Sequence, residues 1–182
     1  GKTTLSEALL PLLPVVRIRS DVERKRLAGI AVLQRPDDAD KLYGAEMTER
    51  TYRHLAVMAE AIVVSGYIAL VDAAFLKRSG RRQFVRLAEQ LKTPFMILDF
   101  DLPEAVLRQR IEDRKSRDDD ASDADLSVLT MQLQQHEPLD DSERIIALTA
   151  DAPVAELAES IKQPATTIPC PHEHMPGCNN RG

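Results

Sequence analysis

Apolar residues along the chain recur at two spacings, and the alternation between them predicts an ordered series of helices and strands. Leu5, Ala8, Leu9, Leu12 and Leu13 share one helical face, which predicts a helix from the first residues to Pro14. The stretch Val15-Val16-Arg17-Ile18-Arg19 predicts a short strand, and Ser20 with Glu23 three positions on reads as a capping box opening the next helix. Residues 34–44 are polar and rich in Pro and Asp, a loop or cap. Leu55, Met58, Ala59, Ile62 and Val63 mark a long helix over 45–65, closed by Gly66. A strand follows over 67–71 and ends at Asp72. Phe84, Leu87, Ala88 and Leu91 mark a helix that stops before Pro94. A strand at 95–100 leads into a helix opening at Asp101 that carries Val106, Leu107 and Ile111. Leu126, Leu129 and Leu133 mark another helix, 145–148 a last strand, and Val154, Leu157, Ala158 and Ile161 a last helix.

The predicted strands are short and apolar without alternation, as strands are when both faces of a parallel sheet are covered. Strand and helix alternate throughout, so the expected class is α/β, a three-layer domain around a mainly parallel sheet. The domain is expected to span 1–162. From 163 onward the chain has four prolines and no apolar periodicity, which predicts a disordered tail.

Composition narrows the classes. The 182 residues are 43% hydrophobic and 29% charged, ordinary for a globular protein with an aliphatic core, since aromatics make up only 4%. No apolar run approaches the roughly 20 residues that cross a bilayer, so no membrane partner is expected and the protein is expected in the cytoplasm. A net charge of −5 disfavours long nucleic acid as a partner. Cys170 and Cys178 are the only cysteines, so no disulfide framework holds the domain. With His172 and His174 they are four metal-capable side chains, but their spacing is tighter than in usual zinc modules, and an unstructured tail is the preferred reading.

The candidate chemistry begins at the first residue. Gly1, Lys2, Thr3 and Thr4 stand at the start of the first amphipathic helix. Gly-Lys-Thr in that position is the second half of the phosphate-binding loop G-x-x-x-x-G-K-[ST]. Backbone N–H groups and the positive end of the helix dipole attract phosphate oxygens there. Lys2 would reach the β and γ phosphates, and the Thr3 hydroxyl would ligate Mg²⁺.

In open parallel sheets ligands sit beyond the carboxyl ends of the strands, and several ends here carry a carboxylate. Asp72 closes an apolar strand in the Walker-B manner and is a candidate Mg²⁺ ligand. The next residue is Ala73 rather than Glu, which favours transfer to an acceptor over hydrolysis and argues against a motor ATPase. Asp21 is placed to orient an acceptor hydroxyl and take its proton. Arg24, one helical step on, is a candidate ligand for an anionic group of the acceptor. Asp101 reads as a helix cap. Arg108, Arg110, Arg114 and Arg117 form a basic group in which Arg110 and Arg114 share a helix face. A mobile lid carrying those two would neutralise charge in a phosphoryl-transfer transition state, and Asp118, Asp119 and Asp120 read as its hinge. Arg78, Arg81 and Arg82 are a second set, read either as acceptor contacts or as a surface cluster at a helix start.

Taken together these motifs resemble a P-loop kinase of the AAA-domain predicted-kinase family, related to the zeta-toxin, chloramphenicol phosphotransferase and polynucleotide kinase groups. The resemblance runs from Gly1 to about Lys162. It rests on Gly1 to Leu5, on Arg19-Ser20-Asp21-Val22-Glu23-Arg24-Lys25-Arg26-Leu27-Ala28-Gly29, and on Thr51-Tyr52. It continues with Val71-Asp72-Ala73-Ala74-Phe75-Leu76, Arg110, Arg114 and Ser122-Asp123-Ala124-Asp125. It implies the P-loop NTPase fold with strand order 2-3-1-4-5, ATP and Mg²⁺ as cofactors, Asp21 as base and lid arginines. It also implies a small-molecule hydroxyl acceptor, and a frequent fusion behind an aminoglycoside-phosphotransferase-like domain. Measured against that family the chain lacks strand 1 and half of the phosphate loop. A fragment of a longer protein, with weak or no turnover by itself, is therefore expected. Two other functions fit the same residues: a non-catalytic ATP-binding regulatory module, and a nucleotide-sugar kinase of the zeta-toxin kind.

Overall fold

The computed structural model describes residues 2–32, 42–100, 106, 108, 130, 133–150 and 152–163, with Lys2 described by its backbone alone. Helix α1 (Lys2–Leu9) leads into strand β1 (Val15–Arg19) and helix α2 (Ser20–Leu27). After the long helix α3 (Ala45–Val64) come strand β2 (Ile68–Asp72) and helix α4 (Arg78–Leu91). Strand β3 (Ile97–Asp99), helix α5 (Asp141–Ile145), strand β4 (Ala147–Thr149) and helix α6 (Val154–Lys162) complete the series.

All pairing is parallel, and it falls into two separate two-stranded sheets, β1 with β2 and β3 with β4. In the first, Val15 lies opposite Ile68 and Arg19 opposite Asp72, so the two strands end together. Helices cover both faces. On one side Ile18 of β1 packs with Leu55 and Ala59 of α3 and Phe84 of α4, with Ala69 and Val71 of β2 against them. On the other, Leu5, Leu9 and Leu13 pack with Leu157 and Ala158 of α6, joined by Val15, Leu98 and Leu148 from the strands. This is the expected α/β class, parallel strands between helical layers.

Why the elements lie where they do follows from local chemistry. Thr51, Leu55 and Ala59 are buried at four-residue intervals on α3, which lays one stripe of the helix on the sheet. Gly66, at φ +85°, supplies the left-handed residue that ends α3, its N–H donating to Val63 O at 2.9 Å. In detail the structure corrects several boundaries. Helix α1 stops at Leu9 rather than running to Pro14, because Pro11 pushes the residue before it out of the helical region. Leu12, expected on the buried face, is therefore 43% exposed. No capping box forms at Ser20: the cap of α2 is Arg19, without a side-chain bond, and Ser20 is already helical. Glu23 turns instead to Arg26 at 2.6 Å and His54 at 3.3 Å. A capping box does form at α5, between Asp140 and Glu143, so residue 145 ends a helix where a strand was expected to begin. The helices expected from Asp101 and around Leu126, and most of the 34–44 loop, lie largely outside the described residues, as does the tail.

Candidate active site

Asp72 is positioned by the strand register. Side chains alternate along a strand, so Arg17 and Asp72 project from the face opposite Ile18. Arg17 Nε and Nη2 donate to Asp72 Oδ2 at 3.2 and 2.5 Å. The pair is nearly buried, with the side chains 9% and 11% exposed. The same guanidinium lies 3.6 Å from Glu7 of α1. Asp72 therefore faces the layer that contains α1, at the carboxyl end of its strand.

Beyond the neighbouring carboxyl end stands α2, an unusual helix because its buried residues are Ser20, Glu23, Arg24 and Lys25. Burying charge is costly unless partners repay it. Lys25 gives its ammonium to Val32 O at 3.1 Å. Arg24 is 6% exposed, and its Nη1 donates to Leu42 O at 3.2 Å and Thr48 Oγ1 at 3.0 Å. Its guanidinium carbon lies 5.2 Å from the centre of the Tyr43 ring, a cation–π contact. Its Nε is buried and meets no acceptor among the described residues. Burial makes this guanidinium easier to deprotonate than usual, an effect opposed by Asp21, Tyr43 and Tyr52 around it. Tyr52 reaches the cluster from α3. Burial raises its pKa, against the Phe75 N–H bond and Arg24, so the phenol stays protonated at neutral pH. The Tyr52 hydroxyl accepts the Phe75 N–H at 3.0 Å. Asp21, Arg24, Tyr43 and Tyr52 thus form one electrostatic group at the ends of β1 and β2.

The turn after Asp72 is held from two sides. Phe75 adopts φ +47° and lies edge-on to both Tyr52 and Phe84, with ring centres 5.3 and 5.2 Å away. Its carbonyl accepts from Arg81 Nη1 at 3.0 Å. Arg81 also donates to Glu137 O and Pro138 O, and its Nε and Nη2 clasp the Glu143 carboxylate at 2.7 and 2.9 Å. Both side chains of that ion pair are 5% exposed or less. Burial works to raise the Glu143 pKa, but the bonds from Arg81 and from the Asp140 N–H outweigh it and hold the carboxyl below its usual value. Arg81 is therefore neither an acceptor contact nor a surface residue; it ties the turn at 75–77 to the segment at 137–143. Arg78 and Arg82 line a separate open groove of about 640 Å³ on α4, with Arg86 and Ala56.

A family model described as AAA domain matches residues 1–139. The chain belongs to this AAA-domain family. Among solved structures, the AAA domain is similar to an unliganded sugar kinase from Janibacter sp. HTCC2649 at 22% identity, with a TM-score of 0.58 over 88% of this chain and 85% of that one. It is also similar to a gluconokinase from Sinorhizobium meliloti 1021, again at 22% identity, with a TM-score of 0.52 over 91% of each chain. At such identity the likeness is one of fold: α/β with parallel strands, as in these kinase structures. No curated protein matches the sequence significantly.

Within the AAA domain, the structure brings Asp21 and Arg24 together and sets Asp72 at the adjoining strand end. Thr3 is half-buried and Thr4 exposed in the first turn of α1, which has no acidic residue to repel an anion. Gly1, the Lys2 side chain, Arg110 and Arg114 lie outside the described residues, as do Ser122 to Asp125 and the Cys170–His172–His174–Cys178 tail. Thr3 and Asp72 offer the hard oxygen donors that suit Mg²⁺, and with Oδ2 held by Arg17 the carboxylate has Oδ1 for such an ion. Among the described residues no group of three or more His, Cys, Asp or Glu could hold a metal, and no helix is long and apolar enough to cross a membrane. Two participants, Arg17 and Tyr43, escaped sequence reasoning, and Arg81 was read there in a different role. All three have partners far away along the chain, whereas Tyr52 carried a signal through the Thr51-Tyr52 motif.

Proposed function

We propose that this AAA domain is a P-loop kinase that transfers the γ-phosphate of ATP to a hydroxyl of a small molecule. The observation that carries the reading is the common end of the β1–β2 pair, where Asp21 and Asp72 stand on successive strand ends and Asp72 faces the α1 layer. Fold likeness to a sugar kinase and a gluconokinase supports it.

On this reading the backbone donors at the start of α1, with Gly1, Thr3 and Thr4, hold the phosphates of ATP, and Lys2 neutralises the β and γ groups. Mg²⁺, which offsets phosphate charge in this chemistry, would draw on the Thr3 hydroxyl and Asp72 Oδ1. Asp21 accepts the proton of the acceptor hydroxyl as its oxygen bonds to the γ-phosphorus. The bond from that phosphorus to the bridging oxygen breaks, and ADP leaves. Arg24 contacts the acceptor, and Arg110 and Arg114 neutralise charge on the transferred group.

The test is phosphate transfer from ATP across a panel of hydroxyl compounds. Asp21→Asn should lower turnover by about 10²–10⁴-fold while nucleotide affinity is unchanged. Unchanged turnover in that variant would remove Asp21 as base. If ATP raises the melting temperature yet no acceptor is phosphorylated, the domain is a non-catalytic nucleotide-binding module.

A further inference from the structure

Helix α4 uses its arginines in two ways. Arg81 is buried and engaged with Glu143 and with three carbonyls. Arg78, Arg82 and Arg86 instead line the open groove that Ala56 of α3 borders. These three follow one another at four-residue intervals, so they climb the helix in steps of about 6 Å. Arg78 gives part of its charge to Asp140, at 3.3 Å. Arg82 and Arg86 are exposed, and among the described residues neither forms a salt bridge. Glu60 of α3 and Glu89 of α4 are exposed too, and neither pairs with them. Like charges four apart on a helix repel each other. The first turn of α4 also has no acidic residue, although the helix dipole favours anions there. The row is thus an electrostatic cost to the chain alone, and it stands in a protein whose net charge is −5.

The remaining lining defines the shape of the anion that would relieve that cost. Ser79, Gln83, Leu87 and Gln90 stand four, four and three residues apart, the spacing of a helix-packing stripe. With Ala56 across from them, a third helix can lie close against both α3 and α4. None of the lining residues is aromatic, so the groove has no platform on which the bases of a nucleic acid strand would stack. We propose that the α3–α4 groove docks an acidic amphipathic helix of a partner protein. Carboxylates at i, i+4 and i+8 of such a helix repeat the roughly 6 Å step of Arg78, Arg82 and Arg86. Its apolar stripe rests on Leu87 and Ala56. No groove residue belongs to the candidate active site, so the docking holds whether or not the domain is a kinase.

Fluorescence anisotropy on the full chain at physiological salt tests this with labelled probes. The first is an alanine-based peptide of about 20 residues, long enough to be helical, with a leucine stripe and glutamates at three positions four apart beside it. The second has the same composition, with the glutamates moved to the side opposite the leucines. The third is an oligothymidine of about 20 nucleotides. The first peptide should bind about tenfold or more tightly than the second. Arg82→Glu combined with Arg86→Glu should abolish that preference and create one for the same peptide with lysine in place of glutamate. Both arginines are exposed, so this double variant should keep the melting temperature of the parent. Gln83→Trp fills the groove and leaves every charge in place; it should weaken the first peptide as well. Equal binding of the two peptides, or no binding of either, would overturn the proposal. A preference that survives charge reversal, or that Gln83→Trp leaves untouched, would do the same. Tighter binding of the oligothymidine than of the first peptide, lost on charge reversal, would give the groove to nucleic acid instead.

Discussion

The two halves of the molecule solve the same architectural problem with different materials. Around β3 and β4 the interior is aliphatic: Leu5, Leu9 and Leu13 meet Leu157 and Ala158. Around β1 and β2 the apolar cluster of Ile18, Leu55, Ala59 and Phe84 is accompanied by buried charge, some of it on the opposite face of the strand pair. Arg17 lies against Asp72, Arg81 against Glu143, and Arg24 and Lys25 against carbonyl oxygens. Buried ion pairs are weak sources of stability, and replacing them with hydrocarbon is often neutral or better. The half that spends its interior on charge is the half that carries Asp21, Arg24 and Asp72. The contrast teaches that the aliphatic half supplies cohesion, while the charged half fixes directions.

The strongest way to break that contrast is to remove one partner of a charge pair. Arg81→Ala should destabilise the chain by about 3–5 kcal/mol, because Glu143 stays buried without its cation; denaturant unfolding measures it. The double variant Arg81→Met with Glu143→Leu should remain destabilised. The carbonyls of Phe75, Glu137 and Pro138 also lose their donor, so hydrocarbon cannot substitute here. Full recovery in the double variant would show that the pair has no directional role.

A smaller effect sharpens the comparison. Leu9 and Leu55 are 1% and 0% exposed, one in each half. Either Leu→Ala change should cost about 2–5 kcal/mol. Only Leu55→Ala should also weaken acceptor binding at permissive temperature, since Leu55 lies beneath the strand ends beside Tyr52. Paired melting and binding measurements would reveal it. The smallest effect is set by pH. Glu143 has its folded pKa below its unfolded value, about 4.3 for a free glutamate. Its contribution is therefore complete above the unfolded value and is lost as pH falls through the folded one. Glu143→Gln should flatten the acid limb of a stability curve below about pH 4.3 and leave its neutral plateau without slope. An unchanged acid limb would remove Glu143 as the sensor.

Much of this contrast was legible in the sequence where information is local. The spacing of Leu5 and Leu9, or of Leu55 and Ala59, reports one helix face, and the strands show as short apolar runs. Asp72 was recognisable because a carboxylate ends such a run. The failures were of two kinds. Ser-x-x-Glu at 20–23 and Asp-x-x-Glu at 140–143 are equivalent patterns, and only the second caps a helix, because Arg26 and His54 draw Glu23 away. Arg17 and Asp72 are 55 residues apart, and their meeting depends on the β1–β2 register, which neither strand encodes alone. The same holds for Arg81 and Glu143, 62 residues apart.

Phe75 carries a lesson about substitution. A residue other than glycine with φ near +47° is an inviting target for replacement by glycine, which would release about 1–2 kcal/mol of backbone strain. Here the ring is wedged edge-on between two others, each such contact being worth about 0.5–1.5 kcal/mol beyond its buried area. The uncomfortable backbone is thus what lets one side chain join α3 to α4, and a repair guided by dihedral angles alone would unfasten the joint it set out to improve.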